Sequence, residues 1–570
     1  MGAYSAQMRQ VTFAAIRTNR RSGQIECEVM KSWTAVSILG SAQFVMVLDS
    51  TVMNVSISTV VADLNTTVGA MQTAITFYTL TMAALMLLGA KLGDIWGRRR
   101  AFVIGGIVYA CGSLTTALSP NIAVLFIGWS IIEGLGAVLV IPAIAALIAN
   151  NYTGRERATA YAAIGAVSGA AVAAGPLIGG YVTTYLSWRY VFAGEVVIMA
   201  VVLLLARRIS DTSKPQQITI DVPSVLLQAT GLVLIVFGML QSKTWGWILP
   251  KNAPEINGVP IEPLGLSLVP YLIVGGCLLL WMFFERQRHL VETNRAPLVN
   301  VEIFSITRLR AGLTVLASQY AITAGLFFII PVYLQMTLGL NALDTGLKIF
   351  PLSIALILFS IVGTRLSTRF SPRRIVRIGQ LILVAGSIAL LGSVSLEVKS
   401  ALFGTGMFLA GSGLGLLASQ LGNVNMSSVG EDETSEVGGV QGVFQNLGSS
   451  LGTALIGSVL IAALATSFVG AVDASDLPAS AKSQVNTASQ AGIAIVPVTS
   501  VAGIGESAGL TADQSQELET IYADSQVSSL RVSFFALALL SVIALLFSKN
   551  LPLEVMEKKE KAQRRNQDIS

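Results

Sequence analysis

The chain has 570 residues, of which 53% are apolar and only 12% are charged, with a net charge of +5. Because soluble domains carry about 25% charged residues, this composition excludes a soluble enzyme. The residue types exclude further classes of site: one histidine, His289, cannot build a histidine-rich metal centre, and Cys27, Cys111 and Cys277 are too far apart for a CxxC motif. The chain also lacks a Gly-Lys pair, and therefore a nucleotide-binding P-loop.

Long apolar stretches follow one another along the chain. A helix needs about 20 mostly apolar residues to cross a bilayer, whereas the strands of a membrane barrel are about ten residues long and alternate in polarity. The fourteen predicted spans are 33–58, 70–90, 101–118, 122–148, 158–182, 188–206, 222–241, 269–285, 311–337, 345–364, 375–394, 400–424, 438–467 and 531–548. We therefore expect an all-α polytopic membrane protein.

The basic residues between these spans predict the orientation, because Lys and Arg accumulate on the cytoplasmic side. With the N-terminus inside, the inside segments hold 30 of the 37 Lys and Arg residues, and the outside loops hold six. The N-terminal segment has no cleavage site after a short apolar core, so we interpret it as an uncleaved tail. A start at Met30 is an alternative, and it would leave residues 1–29 without a function. Both termini are expected in the cytoplasm of a plasma-membrane protein.

Two basic loops indicate an internal repeat. The loop at 89–100 follows span 2, and a similar loop at 363–374 follows span 10, at an offset of 274 residues. Paired repeats are typical of transporters, whose substrate site lies near the midplane between the two halves. The predicted organisation is a tail at 1–31, a six-helix bundle at 32–208, two inserted helices at 209–309, a second six-helix bundle at 310–548 with a solvated outer loop at 469–530, and a tail at 549–570.

Several motifs carry a resemblance to one family. Residues 89–100 match a Gly-x-x-x-Asp-x-x-Gly-Arg-Arg signature, residues 48–55 match a first-span motif, residues 175–180 match an antiporter motif, and residues 187–192 match the start of a sixth span. Over nearly its whole length, the chain resembles the 14-span drug:proton antiporter branch of the major facilitator superfamily. The resemblance implies the major facilitator fold, with two six-helix bundles and two inserted helices.

The resemblance also implies a function. It points to a proton-coupled antiporter that exports amphipathic drugs or related small molecules by alternating access, and not to an enzyme. The expected partners are membrane lipids, a small-molecule substrate and protons, with no nucleic acid, no cofactor and no metal, and the expected state is a monomer. Two alternatives stay open: an exporter of one metabolite or antibiotic, and a non-transporting sensor or scaffold with the same fold.

The loop at 89–100 is the predicted inner gate. An acid in a basic loop adds nothing to topology, and the resemblance implies an Asp–Arg network that latches this gate; the alternative is simple anchoring by positive charge. The copy at 363–374 has no acid, so the latch is expected to be asymmetric. The gate residues are Gly89, Gly93, Asp94, Gly97, Arg98 and Arg99.

Span 5 carries the antiporter motif. Small residues four positions apart let another helix approach closely, and a proline kinks the helix near its outer end. We interpret the motif as a pivot and seal between the halves, with plain helix packing as the alternative; Ala171 replaces one glycine of the family pattern. The motif residues are Gly165, Gly169, Gly175, Pro176, Gly179 and Gly180.

Three acids lie inside spans: Asp49, Glu133 and Glu195. A carboxylate in the bilayer costs several kcal/mol unless it is paired, hydrated or protonated. A rise of 1.5 Å per residue places all three between mid-membrane and the outer half of one bundle, where we expect them to couple export to protons. For Glu195, which stands where relatives usually have Asn, a structural bond is the alternative. Ser130 stands where the family has an Arg, which puts any mechanism that needs that Arg in doubt.

Polar and aromatic residues in the spans are candidate substrate contacts. Within the bilayer such groups prefer the bundle interior to the lipid. The candidates are Asn54, Gln319, Tyr333, Gln441 and Gln445.

Overall fold

The computed structural model describes residues 33–211, 217, 219–256, 259–397, 400–430, 434–490 and 493–553. Within these residues, fourteen helices are long and apolar enough to cross a membrane. They are α1 (Trp33–Val55), α2 (Val68–Trp96), α3 (Arg98–Ala117), α4 (Ile122–Asn151), α5 (Thr159–Tyr185), α6 (Arg189–Arg208), α7 (Val222–Trp245), α8 (Leu268–Glu292), α9 (Thr307–Thr337), α10 (Ala342–Leu366), α11 (Pro372–Ser393), α12 (Ser400–Met426), α13 (Glu436–Ala474) and α14 (Ala512–Asn550). The predicted all-α membrane fold is confirmed, whereas the N-terminal tail at 1–31 and residues 554–570 lie outside the described residues.

Shorter elements connect these helices. The helical ones are Ile57–Asp63, Pro263–Gly265, Val301–Ser305, Ala479–Gln490, Val498–Ser500 and Val501–Ser507. Strands β1 (Glu255–Ile256) and β2 (Val259–Pro260) pair antiparallel between α7 and α8.

The segment predicted as a solvated loop, 469–530, is largely helical. Helix α13 continues to Ala474 and α14 begins at Ala512, so both extend beyond their predicted apolar cores. The ring of Tyr522 on α14 packs edge-on against Phe468 of α13, and its hydroxyl donates to the carbonyl of Ala494. The sequence did not indicate this packing. The segment is rich in Ala and Ser, and its acids, most of them exposed, give it a high average polarity.

The two halves, α1–α6 and α9–α14, share a close helix crossing. In the first half, a Cβ on Gly112 of α3 would lie 2.5 Å from the backbone nitrogen of Glu133 in α4. In the second half, a Cβ on Gly386 of α11 would lie 2.7 Å from the backbone nitrogen of Ala410 in α12. Glycine therefore lets the backbones of both helix pairs come into contact, and this shared feature agrees with an internal repeat.

The inserted helices α7 and α8 pack beside both halves. Gln228 of α7 donates to the carbonyl of Ala83 in α2, and Ser458 of α13 donates to the carbonyl of Met239 in α7. Asp221 precedes α7 and accepts two hydrogen bonds from the guanidinium of Arg286 in α8, at 2.6 and 2.7 Å. These bonds hold the pKa of Asp221 far below its usual range, so an ion pair fastens the two inserted helices together.

Candidate functional site

The three membrane acids predicted from the sequence come together in the first half. One carboxylate oxygen from each of Asp49, Glu133 and Glu195 lies within 4.8 Å of those from the other two. The residues are 0%, 0% and 1% exposed. We call this cluster the carboxylate triad, and its convergence agrees with the common membrane level predicted for the three residues.

The fold of α4 brings Glu133 into the triad. Residues Phe126–Glu133 form a π-helical segment within α4, and such segments are frequent at functional sites. The segment places Trp129 and Glu133 together toward α1 and α3. Gly112 leaves room for the backbone of Glu133 against α3, so the position of this acid depends on a glycine in the neighbouring helix.

A tryptophan holds Asp49. The indole Nε1 of Trp129 lies 3.0 and 2.9 Å from the two carboxylate oxygens of Asp49. The indole ring stacks on Tyr78 of α2, with ring centroids 4.9 Å apart and an angle of 11° between the planes. Both aromatic side chains are buried, so the orientation of the indole donor is fixed by packing.

The two glutamates are held less firmly than Asp49. The hydroxyls of Tyr109 and Ser113 donate to Oε2 of Glu195 over 3.4 and 3.3 Å. Its other oxygen, Oε1, and both oxygens of Glu133 are buried without a hydrogen-bond partner. Glu133 is therefore the least constrained acid of the triad.

The triad cannot carry three negative charges in this arrangement. Two unit charges 4.8 Å apart repel by about 3.5 kcal/mol at an effective dielectric constant of about 20, and burial adds a desolvation cost for each charge. Carboxylates also bind hard cations such as Mg²⁺ and Ca²⁺, so by composition the three residues could hold a metal. Asp49, however, already accepts a hydrogen bond at each oxygen, and protonation of the other two acids relieves the repulsion without any further ligand.

Sequence reasoning named the three acids but missed Trp129, Tyr109 and Ser113. One signal was available, because Trp129 precedes Glu133 by four residues and the two therefore share a helix face. The contacts from α3 to Glu195 had no such signal, since they depend on which helices become neighbours.

The glycines of the predicted inner gate have two different roles. A Cβ on Gly89 would collide with the carbonyl of Val138 in α4, and Gly97 has a φ of +91° between α2 and α3, whereas Gly93 has only ordinary contact with Ala101. Gly89 thus permits a close helix crossing, and Gly97 permits a backbone turn that residues with a Cβ rarely adopt.

The charged residues of the same loop bind within the first half. Asp94 lies 3.6 Å from Arg98, which also donates to the side chain of Asn150 at the end of α4. The backbone nitrogen of Arg99 donates to Asp211, in the segment after α6. These contacts anchor one end of the first half, and a latching role for Asp94 stays a prediction.

Two glycines of the antiporter motif, Gly175 and Gly179, pack against α1 within the first half. A Cβ on Gly175 would collide with the side chain of Thr51 in α1, and one on Gly179 would lie 2.8 Å from Val52. Both glycines therefore let α5 pack closely on α1, which agrees with the helix-packing interpretation of this part of the motif.

The rest of the motif contacts the second half. A Cβ on Gly180 would lie 2.6 Å from the carbonyl oxygen of Ala342 at the start of α10, and one on Gly346 would collide with the carbonyl of Pro176. The backbone of α5 thus meets that of α10 with almost no side chain between them, as a seal between the halves requires.

This contact is confined to one end of the bundle. We call the end that carries the loops at 89–100 and 363–374 the basic end. Opposite the basic end, where α5 meets α10, Gln335 of α9 also donates to the carbonyl of Val55 over 2.7 Å and joins the halves a second time. Toward the basic end of α5, Gly165 and Gly169 have open space at their Cβ positions, so the halves are closed opposite the basic end and parted along α5 near it.

The hydrogen bonds of the predicted substrate contacts go to different partners. The amide of Gln319 donates to the carbonyl of Leu414, and the hydroxyl of Tyr333 donates to the carbonyl of Ser395, both within the second half. Gln441 accepts a long hydrogen bond from Asn425, while Asn54 and Gln445 are half-buried. Their roles in substrate binding stay predictions.

The comparisons with known proteins agree on one family. The profile of the Major Facilitator Superfamily matches residues 39–453. The chain is 30% identical to the puromycin resistance protein pur8 of Streptomyces alboniger, over 76% of this chain and 83% of that protein. It is 27% identical to a probable actinorhodin transporter of Streptomyces coelicolor, over 78% and 75%. It is 24% identical to the multidrug transporter protein MdtP of Bacillus subtilis, over 74% and 73%.

A solved structure has the same fold. It is a bacterial homolog to the human lysosomal transporter Spinster, in an inward-facing and occupied conformation, with a TM-score of 0.55 and 14% identity over 90% of this chain and 95% of that one. At this identity the likeness concerns the fold alone. It agrees with the helical architecture described above.

Proposed function

Since the chain belongs to the major facilitator superfamily, we propose that it is a proton-coupled antiporter that exports amphipathic drugs or related small molecules. Relatives named for puromycin resistance, actinorhodin transport and multidrug transport support this class of cargo. The proposed location is the plasma membrane, with both termini and the basic end in the cytoplasm, as the distribution of Lys and Arg indicates.

The carboxylate triad carries the proposal for proton coupling. Its three acids come from α1, α4 and α6, and among the described residues they are the only buried charged side chains. Burial of this kind costs stability, and a passive scaffold gains nothing from it. A group that alternately binds and releases protons needs a site that water reaches in one conformation and not in another, and a buried cluster at a helix crossing meets that need.

The contacts between the halves suggest the direction of access. With the basic end in the cytoplasm, the seal between α5 and α10 closes the outer side, and the open space at Gly165 and Gly169 faces the cytoplasm. A cargo would enter from the cytoplasm in this conformation. Export then requires the seal at Gly180 and Gly346 to part while the basic end closes, which is the rocking motion expected of paired repeats.

Dye movement in inside-out membrane vesicles tests the proposal. Vesicles with the native chain should accumulate a fluorescent amphipathic dye when the lumen is acidified, and collapse of the pH gradient should stop this. Asp49→Asn and Glu133→Gln should each reduce gradient-driven accumulation at least tenfold, because each removes a titratable group from the triad. Asp513→Asn, which alters an exposed acid at the start of α14, is the matched control and should transport normally.

The outcomes separate the candidate functions. Full transport by both triad variants would contradict proton coupling at this site. The absence of gradient-dependent movement for any compound would favour a sensor or scaffold. Movement of one compound from a structurally diverse panel would favour a second candidate, an exporter of a single metabolite or antibiotic, which the names of the relatives for puromycin and actinorhodin also support.

A further inference from the structure

We infer that the carboxylate triad divides its charge unequally: Trp129 keeps Asp49 ionised, Glu133 and Glu195 carry one proton each, and Glu133 is the acid that exchanges its proton. This assignment deepens the proposed function and rests on it for the meaning of the exchange. Trp129 is then a positioning residue, since it acts on the proton balance through Asp49.

The donor at Asp49 has only one chemical form. An indole nitrogen donates a hydrogen bond and cannot accept one, and Nε1 of Trp129 lies within 3.0 Å of both oxygens of Asp49. A donor aimed at both oxygens stabilises the ionised carboxylate over the acid. Because Trp129 stacks on Tyr78, the indole cannot turn away to let Asp49 take up a proton.

The donors at Glu195 are weaker and can reverse. Tyr109 and Ser113 reach only Oε2, over 3.4 and 3.3 Å, and a hydroxyl is able to accept as well as donate. The other oxygen, Oε1, is buried without a partner, where a proton removes the cost of an unpaired charge. Glu195 is therefore held in place as a neutral acid.

Glu133 is held less firmly than Glu195. Both of its oxygens are buried without a hydrogen-bond partner, so its neutral form is strongly favoured. Its rotamer is therefore restrained less than those of Asp49 and Glu195. This freedom makes Glu133 the acid best suited to move a proton when the packing around α4 changes.

Among the residues that the structure describes, no basic side chain compensates the triad. The titratable groups that face it are Tyr78 from α2 and Tyr109 from α3, together with the triad members on α1, α4 and α6. Every Lys and Arg side chain whose burial is described is at least partly exposed. A single negative charge, held by Trp129, is consequently the largest that the cluster can keep without taking up a cation.

Infrared spectroscopy of the purified full chain at neutral pH tests the assignment without transport. Exposed acids are ionised at this pH, so carboxylic C=O bands report buried protonated acids. Carbon-13 labelling of the Glu carboxyls should shift these bands, whereas labelling of the Asp carboxyls should leave them unchanged. Glu133→Gln and Glu195→Gln should each remove one band.

The variant Trp129→Phe keeps an aromatic ring but removes the donor, and it should produce a new band that shifts with Asp labelling. Trp188→Phe is the matched control, because Trp188 donates to Asp63 outside the triad, and its spectrum should equal that of the native chain. An Asp-sensitive band in the native protein would overturn the assignment, as would stoichiometric binding of Mg²⁺ or Mn²⁺ with loss of the Glu bands. If the bands are as expected while the vesicles show no gradient-driven transport, the charge assignment stands and the proposed function fails.

Discussion

In the first half, Gly136 of α4 packs on Tyr109 of α3, and in the second half, Gly413 of α12 packs on Leu383 of α11. One turn away, Gly112 faces Glu133 and Gly386 faces Ala410. The two crossings therefore use glycine in the same way, yet the first surrounds it with a phenol and an acid, and the second surrounds it with apolar side chains.

The buried polar side chains elsewhere in the two halves differ in the same way. Among the described residues, the buried polar side chains of the second half are neutral, and they include Gln319, Gln380 and Gln420, each of which donates to a backbone carbonyl. A neutral amide costs less to bury than a charge and can join two helices by one hydrogen bond, so these side chains serve helix packing. The crossing does not need an acid, and this is the reason to assign a function to the acids of the first half.

Placing an acid in the second crossing, or an apolar residue in the first, should have the largest effect on stability. In Ala410→Glu, an acid would stand at a fully buried position of the second half, and we expect the free energy of unfolding to fall by about 3 kcal/mol or more. In Glu133→Met, an apolar chain of similar length replaces an unpartnered acid, so stability should be unchanged or higher. Thermal unfolding of the purified proteins in detergent compares them, and an Ala410→Glu protein as stable as the native chain would undo the comparison.

The glycines of the shared crossing should have the next largest effect. Gly112→Ala and Gly386→Ala each place a Cβ within 2.7 Å of a backbone nitrogen on the facing helix. Overpacking of this kind typically costs about 1–3 kcal/mol, so both variants should unfold at lower temperature by similar amounts. Only Gly112→Ala displaces Glu133, and only this variant should alter the pH dependence of dye transport. Equal pH profiles for the two variants would argue against a specific role for the first crossing.

Sequence patterns predicted much of this fold, because span length and charge placement are imposed by the bilayer itself. They also predicted a common level for Asp49, Glu133 and Glu195, since the rise of a helix is constant, and the cluster that the three acids form agrees with it. The lateral neighbours were not predictable: the bonds to Trp129 and Tyr109 depend on helix packing. For the same reason, the sequence could not predict that the hydroxyl of Tyr333, a candidate substrate contact, binds a carbonyl within the second half.

The two basic loops provide a smaller test. Gly97 ends α2 with a φ of +91° and a ψ of 138°, whereas Ser371, at the same position of the repeat, has an ordinary φ of −69°. Gly97→Ala should therefore lower the free energy of unfolding by about 1–2 kcal/mol because of backbone strain. Ser371→Ala, whose side chain makes no capping bond, should unfold like the native chain. Equal melting temperatures for the two variants would contradict this account of the loops.

The smallest effect is expected at the end opposite the basic loops, where two arginines have matching roles. Arg189 donates to the carbonyl of Ser119 after α3, and Arg531 donates to that of Val394 after α11, which suits a cation at a helix C-terminus. Arg189 alone also pairs with an acid, Asp63. Burial raises the pKa of Asp63, but the hydrogen bonds from Arg189 and Trp188 outweigh this, so the pKa lies below its usual value.

A lowered pKa in the folded state means that the pair stabilises the fold above the unfolded pKa of about 3.9, and that this contribution disappears as the pH falls through the folded value. The side chain of Asp63 is 42% exposed, so Asp63→Asn should cost at most about 1 kcal/mol at neutral pH. The difference in melting temperature between this variant and the native chain should shrink toward zero in acid. Arg531→Ala removes a helix-end contact that involves no acid, and its deficit should persist at low pH. If the melting-temperature deficits of both variants respond alike to acid, the ion pair between Arg189 and Asp63 contributes nothing to the stability of the first half.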